Sequence, residues 1–236
     1  MFFDWTYVIL VLPAIILAMW ASANVNSTFR RYSTQYSRRG ITGAQAARRV
    51  LDANGLQQVR IERVSGHLTD HYDPRDNVIR LSDNVFGNTS TAAIGVACHE
   101  AGHAVQHAVK YVPIQIRSAI IPITNIGSRL SMPLILVGLL FSMYSPQMYY
   151  LVYAGIACFG LAAIFQLVTL PTEFNASRRA LAAIESGHLL YDEEIQGARK
   201  TLRAAALTYV AALAVSLTQL LRLLLLFGGN GRRRND

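Results

Sequence analysis

Long apolar runs, separated by shorter polar stretches, dominate the pattern of this chain. Residues 5–23 hold no charged side chain, and a run of this length spans a bilayer, which takes about 20 residues. Residues 130–172 also lack charge. They are too many for one crossing, and the turn residues at 145–147 divide them into two membrane helices. With a further apolar segment at 204–227, the pattern predicts about four transmembrane helices.

The polar stretch after the first apolar run carries the signals of a small α+β domain. Thr42 and Gln45 have the spacing of a capping box and open a short amphipathic helix. Residues 59–64 and, less strictly, 78–81 alternate apolar and polar side chains, and residues 73–77 supply turn chemistry between them. We therefore expect a small antiparallel sheet here.

The sequence HEAGH occupies residues 99–103, inside a helix predicted over about 90–109. Residues four apart lie on one helix face, with Cβ atoms roughly 5 to 6 Å apart, so His99 and His103 can both reach one zinc ion at about 2.0 to 2.1 Å. Glu100 lies at the rim of that face. There it can reach a water on the open position of the metal, which is the place of a general base.

A catalytic zinc usually takes three protein ligands and one water, so a third ligand is needed. His107 lies roughly 12 Å along the helix from His99, too far to bind the same ion. Glu173 is the better candidate, because the hairpin returns the chain beside the motif helix and Glu173 is expected to open a helix there. Acids favour the first turn of a helix anyway, so a surface glutamate is the alternative. Other histidines lie in polar segments typical of exposed or turn positions, namely His67, His71 and His188.

The composition agrees with a membrane protein. Of the 236 residues, 52% are hydrophobic and 15% are charged, against about 25% charged in soluble domains. The net charge of +8 comes almost wholly from arginines that cluster beside apolar segments. Lipid head groups and topology explain such arginines, and no nucleic-acid partner is expected. Cys98 and Cys158 suggest no disulfide framework.

The arginines at 30–39 place the motif domain in the cytoplasm by the positive-inside rule. The basic tail at 232–234 conflicts with this, because four crossings put it outside. One explanation is that the segment at 204–227, which contains Gln219 and Arg222, does not fully span the membrane. The other is that the basic residues flanking the cytoplasmic side of the other segments outweigh the short tail in setting the topology. We favour the second explanation.

These observations predict an α-helical membrane protein with a small α+β, zincin-like metallopeptidase domain. The expected divisions are a transmembrane anchor at 1–25, a cytoplasmic α+β part at 26–112, a transmembrane hairpin at 113–171, a cytoplasmic helical part with the third ligand at 172–203, and a transmembrane helix with a basic tail at 204–236.

Three segments resemble the YugP family of membrane zinc metallopeptidases: HEAGHAVQHA at 99–108, TDHYDP at 69–74 and LPTEFNASRRAL at 170–181. The segment at 173–177 is more distantly similar to the EFxAD element of the HtpX and CAAX prenyl protease families, whose glutamate is the third zinc ligand. The resemblance implies that role for Glu173. Ser177 stands where those relatives have aspartate, so its contact with a zinc histidine is an open question. The family also implies an integral membrane protein of bacteria.

The leading hypothesis is a membrane-embedded endopeptidase with one zinc held by His99, His103 and Glu173. A group that stabilises the oxyanion is expected, and His71, Tyr72 and Arg178 stay open as candidates. We expect membrane proteins, taken as extended segments along the sheet edge near 78–81, to be the substrates, as in membrane protein quality control. The alternative is a membrane scaffold or chaperone-like factor with a structural zinc. The sequence leaves the oligomeric state open.

Overall fold

A computed structural model describes residues 4–228 of the chain, so the basic tail at 232–234 lies outside the described residues. The helices are α1 Leu12–Tyr32, preceded by a π-helical turn at Tyr7–Val11, α2 Gly43–Ala53, α3 Asp83–Phe86, α4 Thr91–Ala108, α5 Val112–Phe141, α6 Tyr150–Ser186, preceded by a 3-10 turn at Pro146–Tyr149, and α7 Asp192–Phe227. The strands are β1 Arg60–Val64, β2 His71–Asp73 and β3 Val78–Ser82.

Four helical segments among the described residues are long and apolar enough to cross a membrane. They are Tyr7–Tyr32, Val112–Phe141, Pro146–Ser186 and Asp192–Phe227. With the small sheet, they confirm the predicted fold class of an α-helical membrane protein that carries a small α+β part.

Helix α6 differs from the prediction, because Glu173 does not open a new helix after Pro171. The helix continues through Pro171 to Ser186, and Glu173 lies inside it. A proline removes one helical hydrogen bond and usually breaks the helix. Here the residues beyond it present a fully buried stripe at every fourth position, formed by Ala176, Ala180 and Ile184. Packing of this stripe against the core outweighs the local signal for a helix end.

The chain divides into two compact units. Among residues 4–228, the membrane unit takes those up to Trp20, Ile116–Leu170 and those from Tyr209 onward, and the polar unit takes Ala21–Gln115 and Pro171–Thr208. Small residues let helices approach closely within the membrane unit: a Cβ added at Gly155 would lie 2.7 Å from the Ser131 carbonyl oxygen, and the Ser131 hydroxyl donates to the Gly155 carbonyl at 2.9 Å.

The last membrane segment carries a buried charge that is paired inside the membrane unit. Arg222 is 7% exposed, its Nη2 donates to Asp4 Oδ2 at 3.0 Å, and its guanidinium lies 5.3 Å from the centre of the Tyr7 ring. A charge in an apolar segment is tolerated when it is paired in this way.

The polar unit contains the predicted amphipathic helix, α2. The Thr42 hydroxyl accepts from the Gln45 backbone N–H at 3.2 Å, and the Gln45 side chain accepts from the Thr42 N–H at 2.9 Å. This confirms the capping box. Gly55 follows the helix with φ +72°, the left-handed conformation that closes helices and that glycine adopts without strain.

The prediction of an antiparallel sheet is wrong for its two main strands. The order is β1-β3-β2, with β1 parallel and β2 antiparallel to β3. The hairpin partner of β3 is β2, whose three residues are too few to show an alternating pattern. Because β3 is paired on both sides, it has no free edge, and the expected docking of a peptide along residues 78–81 is excluded. The edges belong to β1 and β2.

Candidate metal centre

Helix α4 brings the two histidines of the motif together. The Ser90 hydroxyl caps its N-terminus by accepting from the Ala93 N–H at 3.2 Å. One turn apart on this helix, His99 and His103 turn their rings edge to face, and their Nε2 atoms lie 3.1 Å apart.

Helix α6 supplies a carboxylate to the same point. Glu173 Oε2 lies 3.2 Å from His99 Nε2 and 3.5 Å from His103 Nε2. The close approach of α4 and α6 depends on Gly102, since a Cβ there would lie 2.8 Å from the carbonyl oxygen of Ala176. A glycine at this position of the motif therefore lets the two helices bring their ligand atoms together.

The arrangement fits a tetrahedral zinc ion. Ligand atoms about 2.0 to 2.1 Å from zinc in a tetrahedron lie roughly 3.3 Å from one another, and the three distances here are 3.1, 3.2 and 3.5 Å. Glu173 is 2% exposed and His103 is 8% exposed. Two imidazoles and a carboxylate are also the donor set of one class of catalytic zinc site. Among the described residues, this cluster could hold a metal ion.

The burial of Glu100 and the pKa of His103 describe the electrostatic environment of the cluster. Glu100 is buried at 8% exposure, and no other residue within 4–228 donates a hydrogen bond to its carboxylate. Burial lowers the pKa of His103, but its contacts with Glu173, Glu100 and Gln106 outweigh burial and raise that pKa. The site therefore favours a cationic species beside these two glutamates.

Comparison with known proteins gives the family. A family profile described as "Putative neutral zinc metallopeptidase" matches residues 7–228. The chain belongs to this family. It is also 45% identical over 229 residues to the "Putative membrane protease YugP" of Bacillus subtilis (strain 168), which covers 97% of this chain and 99% of that relative. No solved structure matches the chain. These findings confirm the resemblance to the YugP family.

Each of the two histidines in the cluster is also contacted at its other ring nitrogen. His99 Nδ1 lies 3.1 Å from the Ser177 hydroxyl, so the serine reaches the histidine from the position where distant relatives have aspartate. His103 Nδ1 lies 3.0 Å from Gln106 Oε1. The sequence analysis missed Gln106. Its signal was a polar residue on the apolar motif helix, one turn after His103.

The three candidates for oxyanion stabilisation do not join the cluster in the described structure. Tyr72 donates its hydroxyl to Asn77 at 3.0 Å, and burial raises its pKa. His71 is exposed and pairs with the Thr69 carbonyl at 2.8 Å, and Arg178 is exposed.

Two other residues near the motif, His107 and Cys98, also lie outside the cluster. The ring of His107 packs against Tyr72, with 5.5 Å between ring centres. Cys98 is fully buried, and burial raises the pKa of its thiol to about 12. A neutral thiol is a poor zinc ligand.

Proposed function

We propose that this protein is a membrane-embedded zinc endopeptidase in which His99, His103 and Glu173 hold one zinc ion. The observation that carries the proposal is the convergence of His99 Nε2, His103 Nε2 and Glu173 Oε2, each within 3.5 Å of the other two. Membership of a zinc metallopeptidase family supports it.

Glu100 is the proposed general base. Bound zinc lowers the pKa of a water to about 7 and polarises a carbonyl group. Glu100 takes the proton of the attacking water as the oxygen adds to the peptide carbonyl carbon. It then passes that proton to the amide nitrogen as the C–N bond breaks. The burial of Glu100, with no donor from residues 4–228 on its carboxylate, suits a group that must exchange protons with a substrate.

The alternative is a membrane scaffold with a structural zinc. Structural sites are usually closed by four protein ligands and are rich in cysteine. The cluster offers three ligands from two histidines and one glutamate, which favours the enzyme.

The decisive experiment compares the purified protein with Glu100→Gln, using an unfolded protein such as casein as substrate. We expect chelator-sensitive cleavage by the natural chain. The variant should bind one equivalent of zinc but cleave roughly 10² to 10⁴ times more slowly. Equal cleavage by both proteins would exclude Glu100 as the general base. No cleavage by the zinc-loaded natural chain would leave the scaffold as the better explanation.

We further propose that an extended substrate segment pairs with β2. This strand is an edge of the sheet, and its Tyr72 packs against His107 of α4, the helix that also carries the two zinc-binding histidines. Pairing through backbone groups depends little on side chains, so broad specificity should result. Of the three oxyanion candidates, Tyr72 is favoured because its ring packs against α4, whereas His71 of the same strand is exposed.

Broad specificity suits quality control of membrane proteins. Glu173 follows the apolar segment of α6 by only a few residues, which supports substrates presented at the membrane. Proteomics of cells that carry Glu100→Gln tests this proposal. Accumulation of membrane proteins is expected, and accumulation confined to soluble proteins would contradict it.

The predicted divisions of the chain, with the active site in the cytoplasm, remain our proposal for its topology. Labelling of single introduced cysteines tests this topology and needs exposed positions. Thr34, Ser186 and Gln147 are exposed, whereas Ser37 is buried at 6% exposure and is unsuitable. In a chain without Cys98 and Cys158, cysteines at 34 and 186 should resist an impermeant reagent in intact cells, and one at 147 should react. The opposite labelling pattern would reverse the orientation.

A further inference from the structure

Gln106 is a fully buried amide, at 0% exposure, in a helix whose buried face is otherwise largely apolar. Both ends of the amide are used. Nε2 lies 2.8 Å from the Thr172 carbonyl oxygen and 3.0 Å from Asn175 Oδ1, and Oε1 lies 3.0 Å from His103 Nδ1. The side chain thus connects one proposed zinc ligand on α4 to the segment of α6 that carries another.

The direction of these hydrogen bonds follows from groups whose roles are fixed by chemistry. A guanidinium only donates, so Arg179 Nε, 2.8 Å from Asn175, must face the amide oxygen of Asn175. The backbone carbonyl of Thr172 only accepts. Both acceptors therefore require the Gln106 NH₂ group, and the Gln106 oxygen must face His103.

The orientation of Gln106 decides the tautomer of His103. An amide oxygen only accepts, so His103 Nδ1 must carry a proton to donate to it. The other nitrogen, Nε2, then keeps its lone pair, and this is the atom that faces Glu173 and His99.

We infer that Gln106, oriented by Arg179 through Asn175 and by the Thr172 carbonyl, is a positioning residue that holds His103 in the Nδ1–H form so that Nε2 binds the metal. The inference rests on the proposed role of His103 as a zinc ligand. His99 has no such fixed partner, because the Ser177 hydroxyl at its Nδ1 can either donate or accept.

The experiment uses the full chain in detergent with Gln106→Met, which keeps the length of the side chain and removes the amide. Nitrogen NMR of ¹⁵N-histidine protein, metal-free and at alkaline pH where imidazoles are neutral, should show His103 as the Nδ1–H form in the natural chain. The variant should show a mixture of forms. Zinc affinity, measured by competition with a chelator, should fall roughly 10- to 100-fold. Unchanged tautomer and affinity would overturn the inference.

Two controls separate positioning from a merely structural role. Leu51→Ala, a fully buried change on α2, should lower the melting temperature yet leave the tautomer and the zinc affinity unchanged. Gln57→Met makes the same substitution at an exposed position and should change nothing.

A second pair of variants tests the orientation if Gln106→Met does not fold. Asn175→Asp keeps an acceptor for Arg179 and Gln106 and should preserve the tautomer. Asn175→Leu leaves only the Thr172 carbonyl to orient the Gln106 amide, so a measurable fraction of the other tautomer should appear. Equal behaviour of this pair would contradict the inference. Because the tautomer is measured without metal or substrate, its result is independent of whether the protein proves to be a peptidase.

Discussion

Glu173 and Glu194 are both buried in the polar unit, at 2% and 4% exposure, but the groups around them differ in kind. Glu194, in the first turn of α7, accepts from the backbone N–H groups of Arg38 at 2.8 Å and Tyr191 at 3.0 Å, and its other contact is the Ser37 hydroxyl at 3.4 Å. Glu173 faces the Nε2 atoms of two histidines.

The partners of a buried carboxylate, more than its burial, therefore indicate its role. Backbone N–H groups are permanent donors, so Glu194 is satisfied by the protein itself and ties the segment at 37–38 to α7. Around Glu173, the geometry directs the lone pair of His103 Nε2 toward the same point as the carboxylate. Converging electron-rich atoms are unfavourable when buried, and a cation bound between them would stabilise the arrangement.

The largest expected effect is on zinc binding by Glu173→Gln. The change removes a proposed ligand, so the loss of zinc affinity should exceed the roughly 100-fold that is typical of residues outside the ligand set. Chelator competition measures it. Glu194→Ala is the matched control and should keep stoichiometric zinc. If both variants lost zinc equally, the distinction between the two glutamates would fail.

Gly102→Ala should disrupt the proposed zinc site through the backbone. The added Cβ would lie 2.8 Å from the Ala176 carbonyl oxygen, so α4 and α6 must separate, at a cost of about 1 to 3 kcal/mol. Because the proposed ligands lie on these two helices, zinc affinity should fall as well. Gly95→Ala, on the same helix but facing Ala198 of α7 at 3.1 Å, should change stability without changing affinity. Loss of zinc in the Gly95 variant alone would contradict this account.

Glu194→Ala should lower stability by about 1 to 3 kcal/mol, because it removes the charged acceptor of the part-buried N–H groups of Arg38 and Tyr191. Thermal or denaturant unfolding in detergent measures the change. Glu193→Ala removes an exposed neighbour that pairs with Arg38 at the surface and should cost far less. Equal costs for the two substitutions would show that burial of the carboxylate is unimportant here.

The smallest effect concerns Asp70, a half-buried carboxylate. Its contacts are the N–H and hydroxyl of Ser82, at 2.7 and 3.0 Å, yet burial outweighs them and raises its pKa. A raised pKa means that the folded state holds the proton more tightly than the unfolded state. The contribution of Asp70 to the free energy of unfolding is therefore full below the ordinary pKa of 3.8. It is lost as the pH rises through the raised pKa.

Asp70→Asn should remove this pH dependence, so the variant should gain stability relative to the natural chain as pH rises out of the acid range. Melting temperatures over a pH series provide the measurement, with the surface change Glu185→Gln as control. Parallel curves for the natural chain and the Asp70 variant would count against the assignment.

The features that could be predicted from the sequence depend on residues close together along the chain. Apolar runs predicted the four membrane helices, the Thr42 and Gln45 pair predicted a cap, and the spacing of His99 and His103 predicted that both imidazoles face one point. These patterns are readable because hydrophobic length, capping and helical period are local properties. The choice of Glu173 came from the expected return of the hairpin and from the family resemblance.

Features that depend on contacts between distant segments could not be predicted from the sequence and are seen in the folded chain. Helix α6 continues through Pro171 because its buried stripe packs on the core, which no local rule encodes. The central place of β3 depends on pairing with β1 and with the three-residue β2, and strand pairing is a long-range choice. Gln106 looked like an ordinary polar residue of α4, because the atoms that give it a role, at Thr172 and Asn175, approach it only when the helices pack.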